Sequence, residues 1–423
     1  MPLHPGIRRL LALARGPAAV YLWASVVSSG AGLVLIPIYT RRLSLAEYGD
    51  YVLALTLIAV LPTVLTLGMT SALARFFFDT PDREEGRRRV GGVARAMILL
   101  AVGLALPIEG LVLALGQPDG LWGRWELSCI LWAGVGGALA QIPSVYLRAA
   151  QRPYPAAALQ LVQFFSVVGG GVVLVVLLGR GLRGAIEAYA LAYVVNGLIA
   201  AVFVVLALPG RPSRTLFGEA MALALPFVPH FLANQAHVVS DRWTFKAYGF
   251  ENSLGGYSLA SQLVLPASVV VGAWNDAESP RIGEAYRDGG MPGLRSTYRG
   301  ALKSYGLAAA IPVGGLLLLL PLLPYALGDS FVAFLKWVPV LGLGVIVETF
   351  YYPNANVLFF AGRVRSIPLV TIASATTNVV LNVVLIPLVG LPGAVVARLA
   401  AGSVRSVAIG WVAARVLAEG RGP

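Results

Sequence analysis

Apolar runs of about twenty residues, separated by short polar or Gly/Pro-rich breaks, recur along nearly the whole chain. A helix of that length crosses a ~30 Å hydrocarbon layer. Backbone amides find no water inside lipid, so each run has to close its hydrogen bonds internally, as a helix does. The pattern predicts twelve helices, near 17–38, 52–74, 93–115, 126–147, 156–178, 185–208, 217–239, 254–275, 304–327, 337–360, 366–388 and 392–416. The expected fold is therefore an all-α polytopic membrane protein.

The breaks between runs repeat. Gly181-Leu182-Arg183-Gly184-Ala185-Ile186-Glu187 follows the fifth run, and Gly390-Leu391-Pro392-Gly393-Ala394-Val395-Val396 follows the eleventh. Pro143 precedes Arg152 much as Pro353 precedes Arg363. Gly49-Asp50-Tyr51-Val52-Leu53-Ala54 pairs with Gly255-Gly256-Tyr257-Ser258-Leu259-Ala260. Each match is weak alone, since Gly-rich turns are common. Their shared order predicts two six-helix bundles, 1–210 and 211–423, joined near Pro209-Gly210-Arg211-Pro212-Ser213. Repeated halves are a usual plan of secondary transporters, with substrate held between them.

Composition agrees with that reading. Hydrophobic residues make up 57% of the 423 positions and charged ones 12%, against about a quarter charged in a soluble chain. The net charge of +12 does not point to nucleic acid, because the Arg residues lie between apolar runs and build no aromatic-interleaved basic module. With both termini in the cytoplasm, twenty-two of the 32 Lys and Arg fall on the cytoplasmic side and eight on the outer side, as the positive-inside rule requires. The densest clusters, Arg83-Arg87-Arg88-Arg89 and Arg281-Arg287-Arg295-Arg299-Lys303, read as cytoplasmic loops that fix orientation, or as attractors of anionic head groups. Arg8, Arg9 and Arg15 ahead of the first run imitate a signal peptide, but that run exceeds a 7–15-residue h-region and is expected to be retained.

Polar residues inside the runs are the candidates for function, because a charge at mid-membrane costs at least ~2.5–3.5 kcal/mol. His230, Asn234, His237 and Asp241 share one face of the seventh helix. Ser374, Asn378 and Asn382 form a second stripe, Arg398 and Arg405 a third, and Gln160 with Gln163 a shorter one. Two readings stay open for the amides: they line a polar cavity, or they hydrogen-bond helices together. For Arg398 and Arg405 the cavity is favoured, since Arg does not shed its proton on burial. Glu348, Asp241 and Glu109 are candidates for ion coupling, and each has the alternative of a plain structural partner.

Catalytic constellations are missing. Three histidines, one cysteine within a span (Cys129), no P-loop and no nucleophile elbow argue against an enzyme, a redox or metal centre and direct use of ATP, and they imply no cofactor.

Ile36-Pro37-Ile38-Tyr39-Thr40-Arg41-Arg42-Leu43-Ser44-Leu45-Ala46-Glu47-Tyr48-Gly49 resembles the first outer loop of the Wzx oligosaccharide flippases, also called polysaccharide biosynthesis proteins, of the multidrug/oligosaccharidyl-lipid/polysaccharide (MOP) exporter superfamily. Leu67-Gly68-Met69 through Arg75-Phe76-Phe77 and Ser240-Asp241-Arg242 are similar to later stretches of that family. The resemblance implies a MATE-like pair of bundles, alternating access in the inner membrane, and a polyprenyl-pyrophosphate-linked oligosaccharide of O-antigen, capsule or exopolysaccharide type as substrate. It also implies membrane lipids, a glycan polymerase and glycosyltransferases as partners. A pyrophosphate needs cationic partners, so Arg41 and Arg242 join Arg398 and Arg405 as expected substrate residues. The alternatives are a cation-coupled exporter of small amphipathic compounds, a lipid II flippase, which usually carries two more helices, or a scaffold or glycan polymerase, the last needing a larger outer loop than this chain offers.

Overall fold

The computed structural model describes residues 17–80, 82–115 and 121–419. Arg8, Arg9 and Arg15 lie outside them. The described chain is almost entirely helical and holds no strand. Nine described helices are long and apolar enough to cross a membrane, or ten if the bent pair Arg214–Phe227 and Phe231–Ala247 is one span. Large apolar side chains such as Leu206, Leu318 and Tyr325 are at least 80% exposed, which suits hydrocarbon and not water.

The chain forms two compact units. The first takes the described residues of Met1–Arg42 and Asp50–Phe231. Its helices are α1 (Pro17–Arg42), α2 (Leu45–Thr66), α3 (Thr70–Phe78), α4 (Arg83–Ala114), α5 (Arg124–Ala149), α6 (Pro153–Gly171), α7 (Gly181–Ala207) and α8 (Arg214–Ala224). The expected second helix, 52–74, is broken: the backbone turns at Leu67 and Gly68, both at positive φ, so that α3 leaves α2 and packs on α4 and α5. Met69, Leu73, Phe76, Val90, Met97, Ile142, Ala220 and Ala224 form the core there. The cluster read as a loop, Arg83 to Arg89, is instead the start of α4. Asp82 caps it by accepting from the Glu84 amide at 2.9 Å, and Glu84 and Glu85 face the positive helix end. Elsewhere α5 and α7 touch at Gly136 and Gly197, where a Cβ on Gly197 would fall 2.6 Å from the Gly136 Cα.

Two arginines close the C-terminal end of α7. The last carbonyls of a helix have no partner within it. Arg87 donates to the Ala207 carbonyl at 2.9 Å and Arg95 to that of Leu208 at 2.8 Å, so the guanidiniums supply the missing donors and offset the negative helix end.

The second unit takes the described residues of Leu43–Gly49 and Leu232–Pro423. Its helices are α9 (Val228–Ala247), which begins in the first unit, α10 (Glu251–Leu319), α11 (Val338–Thr349), α12 (Tyr351–Phe360), α13 (Ser366–Val389) and α14 (Leu391–Glu419). As one rod, α10 would run about 100 Å. It does not, because Gly290 has non-helical φ 57° and ψ −143°. The Tyr305 hydroxyl donates to Asn275 Oδ1 at 2.9 Å and the Trp274 indole to Ser304 Oγ at 3.4 Å, so two arms run antiparallel from a hairpin at Gly290. The second basic cluster, Arg281 to Lys303, is again helical and not the expected loop: its charges sit on the ends of these arms. The span expected at 337–360 is also divided, at Phe350 between α11 and α12.

The short segment 43–49 explains why its sequence is distinctive. Ser44 and Glu47 form a reciprocal capping box: the Ser44 amide donates to Glu47 Oε2 at 2.8 Å and the Glu47 amide to Ser44 Oγ at 3.2 Å. Tyr48 is wholly buried, donates to Gln262 Oε1 at 2.8 Å and meets Phe331 edge-on at 5.2 Å. Backbones touch beside it, since a Cβ on Gly255 would lie 2.0 Å from the Leu45 carbonyl oxygen. A Gly255→Val substitution therefore forces the two helices apart. We expect it to cost about 1–3 kcal/mol or more, read as a lowered melting temperature in detergent; an unchanged melting curve would contradict this packing.

Candidate functional site

Most of the polar residues singled out in the sequence gather in the second unit. On α9, Asp241 and Arg242 are 3% and 8% exposed. Asp241 Oδ1 accepts from the Arg242 amide at 2.7 Å and from its Nη1 at 3.1 Å, and Oδ2 accepts from the Tyr257 hydroxyl. Arg242 Nη1 also donates to the Val238 carbonyl at 2.6 Å. Asp241 and Arg242 thus neutralise each other. For Asp241 this is the structural partnership named as its alternative to ion coupling.

The amide stripe of α13 is likewise used between helices. Asn378 Nδ2 donates to the His237 carbonyl at 2.6 Å, Asn382 Nδ2 to Ser240 Oγ at 3.1 Å, and Ser374 Oγ to the Ala401 carbonyl of α14 at 2.8 Å. Asn378 and Asn382 are buried, at 2% and 0% exposure. Asn234 and His237 are half-buried on α9, and the side chain of His230 lies outside the described residues.

Arg398 and Arg405 project from α14 two turns apart, about 10 Å along the axis. Arg398 Nε stands 3.9 Å from Glu348 Oε1, with both side chains 23% exposed. Tyr257 and Asp241 also act electrostatically on Arg398. The Arg405 guanidinium lies 3.9 Å over the Tyr351 ring, a cation–π contact, and its Nε is buried without a hydrogen-bond partner. Between them Gly402 lets α11 approach, for a Cβ there would meet Glu348 Cγ at 2.8 Å. His237 feels Glu348, Arg405, Arg398 and Asp241 together. Asp241 is engaged by Arg242, and Glu348 makes a long ion pair with Arg398 at 3.9 Å. The arrangement is a cationic site that can accept an anion.

A further polar layer lies in the same unit. Asn356 Nδ2 donates to Asn275 Oδ1 at 3.0 Å and reaches the Tyr305 hydroxyl at 3.1 Å, Ser279 Oγ donates to Asn356 Oδ1 at 3.1 Å, and the Tyr298 hydroxyl to Asn354 Oδ1 at 2.6 Å. The signal lay in Tyr351-Tyr352-Pro353-Asn354-Ala355-Asn356, too polar a run for a lipid-facing helix.

The first unit holds the other candidates. Gln160 and Gln163 on α6 line a cavity of about 310 Å³ with Ser144, Tyr193 and Asn196. Gln160 Oε1 and Gln163 Nε2 are buried there without partners. Glu109 accepts from Ser128 Oγ at 2.7 Å, a structural partnership. Arg41, in the last turn of α1, is exposed. The most elaborate network was not anticipated: Glu187, 8% exposed, accepts from Trp125 Nε1 at 2.7 Å, Arg180 Nη2 at 2.7 Å and Arg183 Nε at 3.2 Å. Its signal was an acid in an apolar run, four residues after Arg183 and seven after Arg180.

The fold is similar to that of solved transporter structures. The model matches the inward-facing conformation of a multidrug resistance MATE family transporter of the MOP superfamily with TM-score 0.74 and 18% identity, over 97% of this chain and 98% of that one. It matches an outward-facing conformation of such a transporter with TM-score 0.67 and 17% identity, over 99% of both chains. A protein of the Lsg locus of Haemophilus influenzae is 22% identical over 364 residues, 82% of this chain and 84% of that protein. The family model for polysaccharide biosynthesis proteins matches residues 17–285, and the chain belongs to that family. The fold is that of the solved MATE transporters.

The Asp241–Arg242 pair gives a stability prediction. Removing one partner of a buried pair strands the other charge, so Arg242→Gln is expected to cost about 3–5 kcal/mol, much of it regained in the Asp241→Asn/Arg242→Gln double variant. Thermal unfolding in detergent measures both; equal losses in the single and double variants would refute the coupling.

Proposed function

We propose that the protein moves a polyprenyl-pyrophosphate-linked oligosaccharide, an O-antigen, capsule or exopolysaccharide unit, across the cytoplasmic membrane. The observation that carries this reading is the charge imbalance on α14: among the described residues the one ion pair of Arg398 and Arg405 is the 3.9 Å contact of Arg398 with Glu348, and Arg405 lies over the Tyr351 ring with its Nε buried and unpartnered. Arg presents forked donors suited to phosphate oxygens, and a pyrophosphate would return the interactions that Arg405 Nε lacks. Membership of the polysaccharide biosynthesis family supports a glycan substrate. The amide-lined cavity around Gln160 and Gln163 offers uncharged donors and acceptors of the sort sugar hydroxyls need. A hydrated sugar loses several kcal/mol for each hydrogen bond it leaves in an apolar path, which is why such groups belong along its route.

In this account the halves 1–210 and 211–423 rock about the substrate by alternating access, with both termini cytoplasmic, membrane lipids around the bundles and the polymerase and glycosyltransferases of the same glycan as neighbours. A second reading, a cation-coupled exporter of small amphipathic compounds, draws on Glu348, whose Oε1 is buried without a hydrogen bond and would take a coupling proton.

Flipping of a fluorescent lipid-linked oligosaccharide in vesicles containing the purified protein separates the readings. Arg398→Gln and Arg405→Gln should each cut the rate about ten-fold or more, the equivalent of losing one charge-assisted bond of about 1.5–3 kcal/mol, while the amount of inserted protein is unchanged. Wild-type rates in both variants would exclude the cationic site. Export of small cations without any flipping would favour the second reading.

A further inference from the structure

At the end of the first unit where α3 stops and α4 starts, the chain builds a second cationic pocket that the proposed transport reaction does not use. Its volume is about 570 Å³. Arg83 and Arg87 enter from α4, and Arg152 comes from the connection between α5 and α6, some seventy residues later in sequence. The fold therefore creates this convergence; no local run of charge does. Glu84 pairs with Arg87 at 3.2 Å and with Arg88 at 3.6 Å. Among the described residues the guanidiniums of Arg83 and Arg152 make no ion pair or side-chain hydrogen bond, so the pocket keeps two uncompensated positive charges. Thr80 and Gln151 add uncharged hydrogen-bonding groups to its wall.

The remaining wall is apolar and aromatic. Phe77, Phe78, Tyr146 and Phe203 line it, and Phe78 is 69% exposed. A soluble anion such as free phosphate has no use for such a wall, whereas an amphiphile has a use for both halves of the pocket. The helix starts and connections at this end also carry Arg88, Arg89, Arg211 and Arg214, the positive excess expected on the cytoplasmic side, where anionic lipids bind basic pockets between helices.

We propose that this pocket binds the phosphate head group of an anionic membrane amphiphile, with the acyl or prenyl chain lying against Phe77, Phe78 and Phe203. The guanidiniums of Arg83 and Arg152 grip the phosphate, and Arg87, already committed to the Ala207 carbonyl and Glu84, supplies background charge. Binding here ties the α3–α4 turn to the α5–α6 connection and does not depend on what the second unit carries.

Native mass spectrometry of the full chain, in mixed micelles containing phosphatidylglycerol, phosphatidylcholine or undecaprenyl phosphate, tests this. Phosphatidylglycerol should be retained over phosphatidylcholine. Each of Arg83→Gln and Arg152→Gln should weaken retention about five-fold and the pair about twenty-five-fold, at roughly a kcal/mol per basic residue. Both are exposed, so folding is spared. Arg211→Gln/Arg214→Gln removes the same charge outside the pocket and is the control. Displacement of phosphatidylglycerol by undecaprenyl phosphate would identify the carrier lipid as a ligand of the site, and selective retention without displacement would identify a structural phospholipid; both support the site. Equal retention of phosphatidylcholine, or an equal loss in the Arg211/Arg214 control, would overturn it.

Discussion

A guanidinium surrounded by hydrocarbon must be answered by something, and the ways in which this chain answers its arginines organise the structure. Lipid offers neither water nor counter-ion, and Arg keeps its proton. Arg87 and Arg95 are answered by the terminal carbonyls of α7, which need donors as much as the arginines need acceptors. Arg242 is answered by Asp241, itself held by Tyr257. Arg180 and Arg183 are answered by Glu187. Within the apolar length of α14, Arg398 and Arg405 are answered less completely. Arg398 meets Glu348 at a long 3.9 Å, and Arg405 rests on the Tyr351 ring. That contrast selects α14 as the place where a ligand anion would be stabilised.

Close helix approach is what makes these pairings possible. Gly402 admits Glu348 between the two α14 arginines, and Gly136 admits Gly197. Polar side chains then spend their hydrogen bonds across the contacts, Asn378 and Asn382 onto α9 and Ser406 onto the Val347 carbonyl of α11 at 2.7 Å. In a bilayer such bonds and small-residue packing replace the hydrophobic driving force between helices. The first unit leaves some amides unspent at Gln160 and Gln163, and there a cavity remains.

Much of this was legible from periodicity. The apolar runs marked the spans, and the stripe from Asn234 to Asp241 marked the polar face of α9. Periodicity reports which face a residue occupies but not which neighbour meets it. Asn378 and Asn382 therefore read equally well as cavity lining and as contacts with α9, and only the packing separates the two. Charge density was misleading at Arg83 to Arg89 and at Arg281 to Lys303, because helices that extend past the membrane carry the same charges a loop would. The hairpin at Gly290 sits in Arg287-Asp288-Gly289-Gly290-Met291-Pro292, a turn signal, yet helix resumes at once on both sides of it. Arg152 joining Arg83 was beyond sequence reasoning altogether, since their separation in the chain gives no hint of contact.

The central claim is that the α14 arginines form an anion site one carboxylate short of neutrality. Comparing the affinity of the purified protein in nanodiscs for undecaprenyl pyrophosphate and for the uncharged undecaprenol tests it most directly. We expect the pyrophosphate to bind at least ten-fold more tightly, and, in a chain whose other basic pocket is removed by Arg83→Gln/Arg152→Gln, Arg398→Gln/Arg405→Gln to remove the difference while leaving binding of the alcohol unchanged. Equal affinity for the two lipids in the unaltered protein would contradict it.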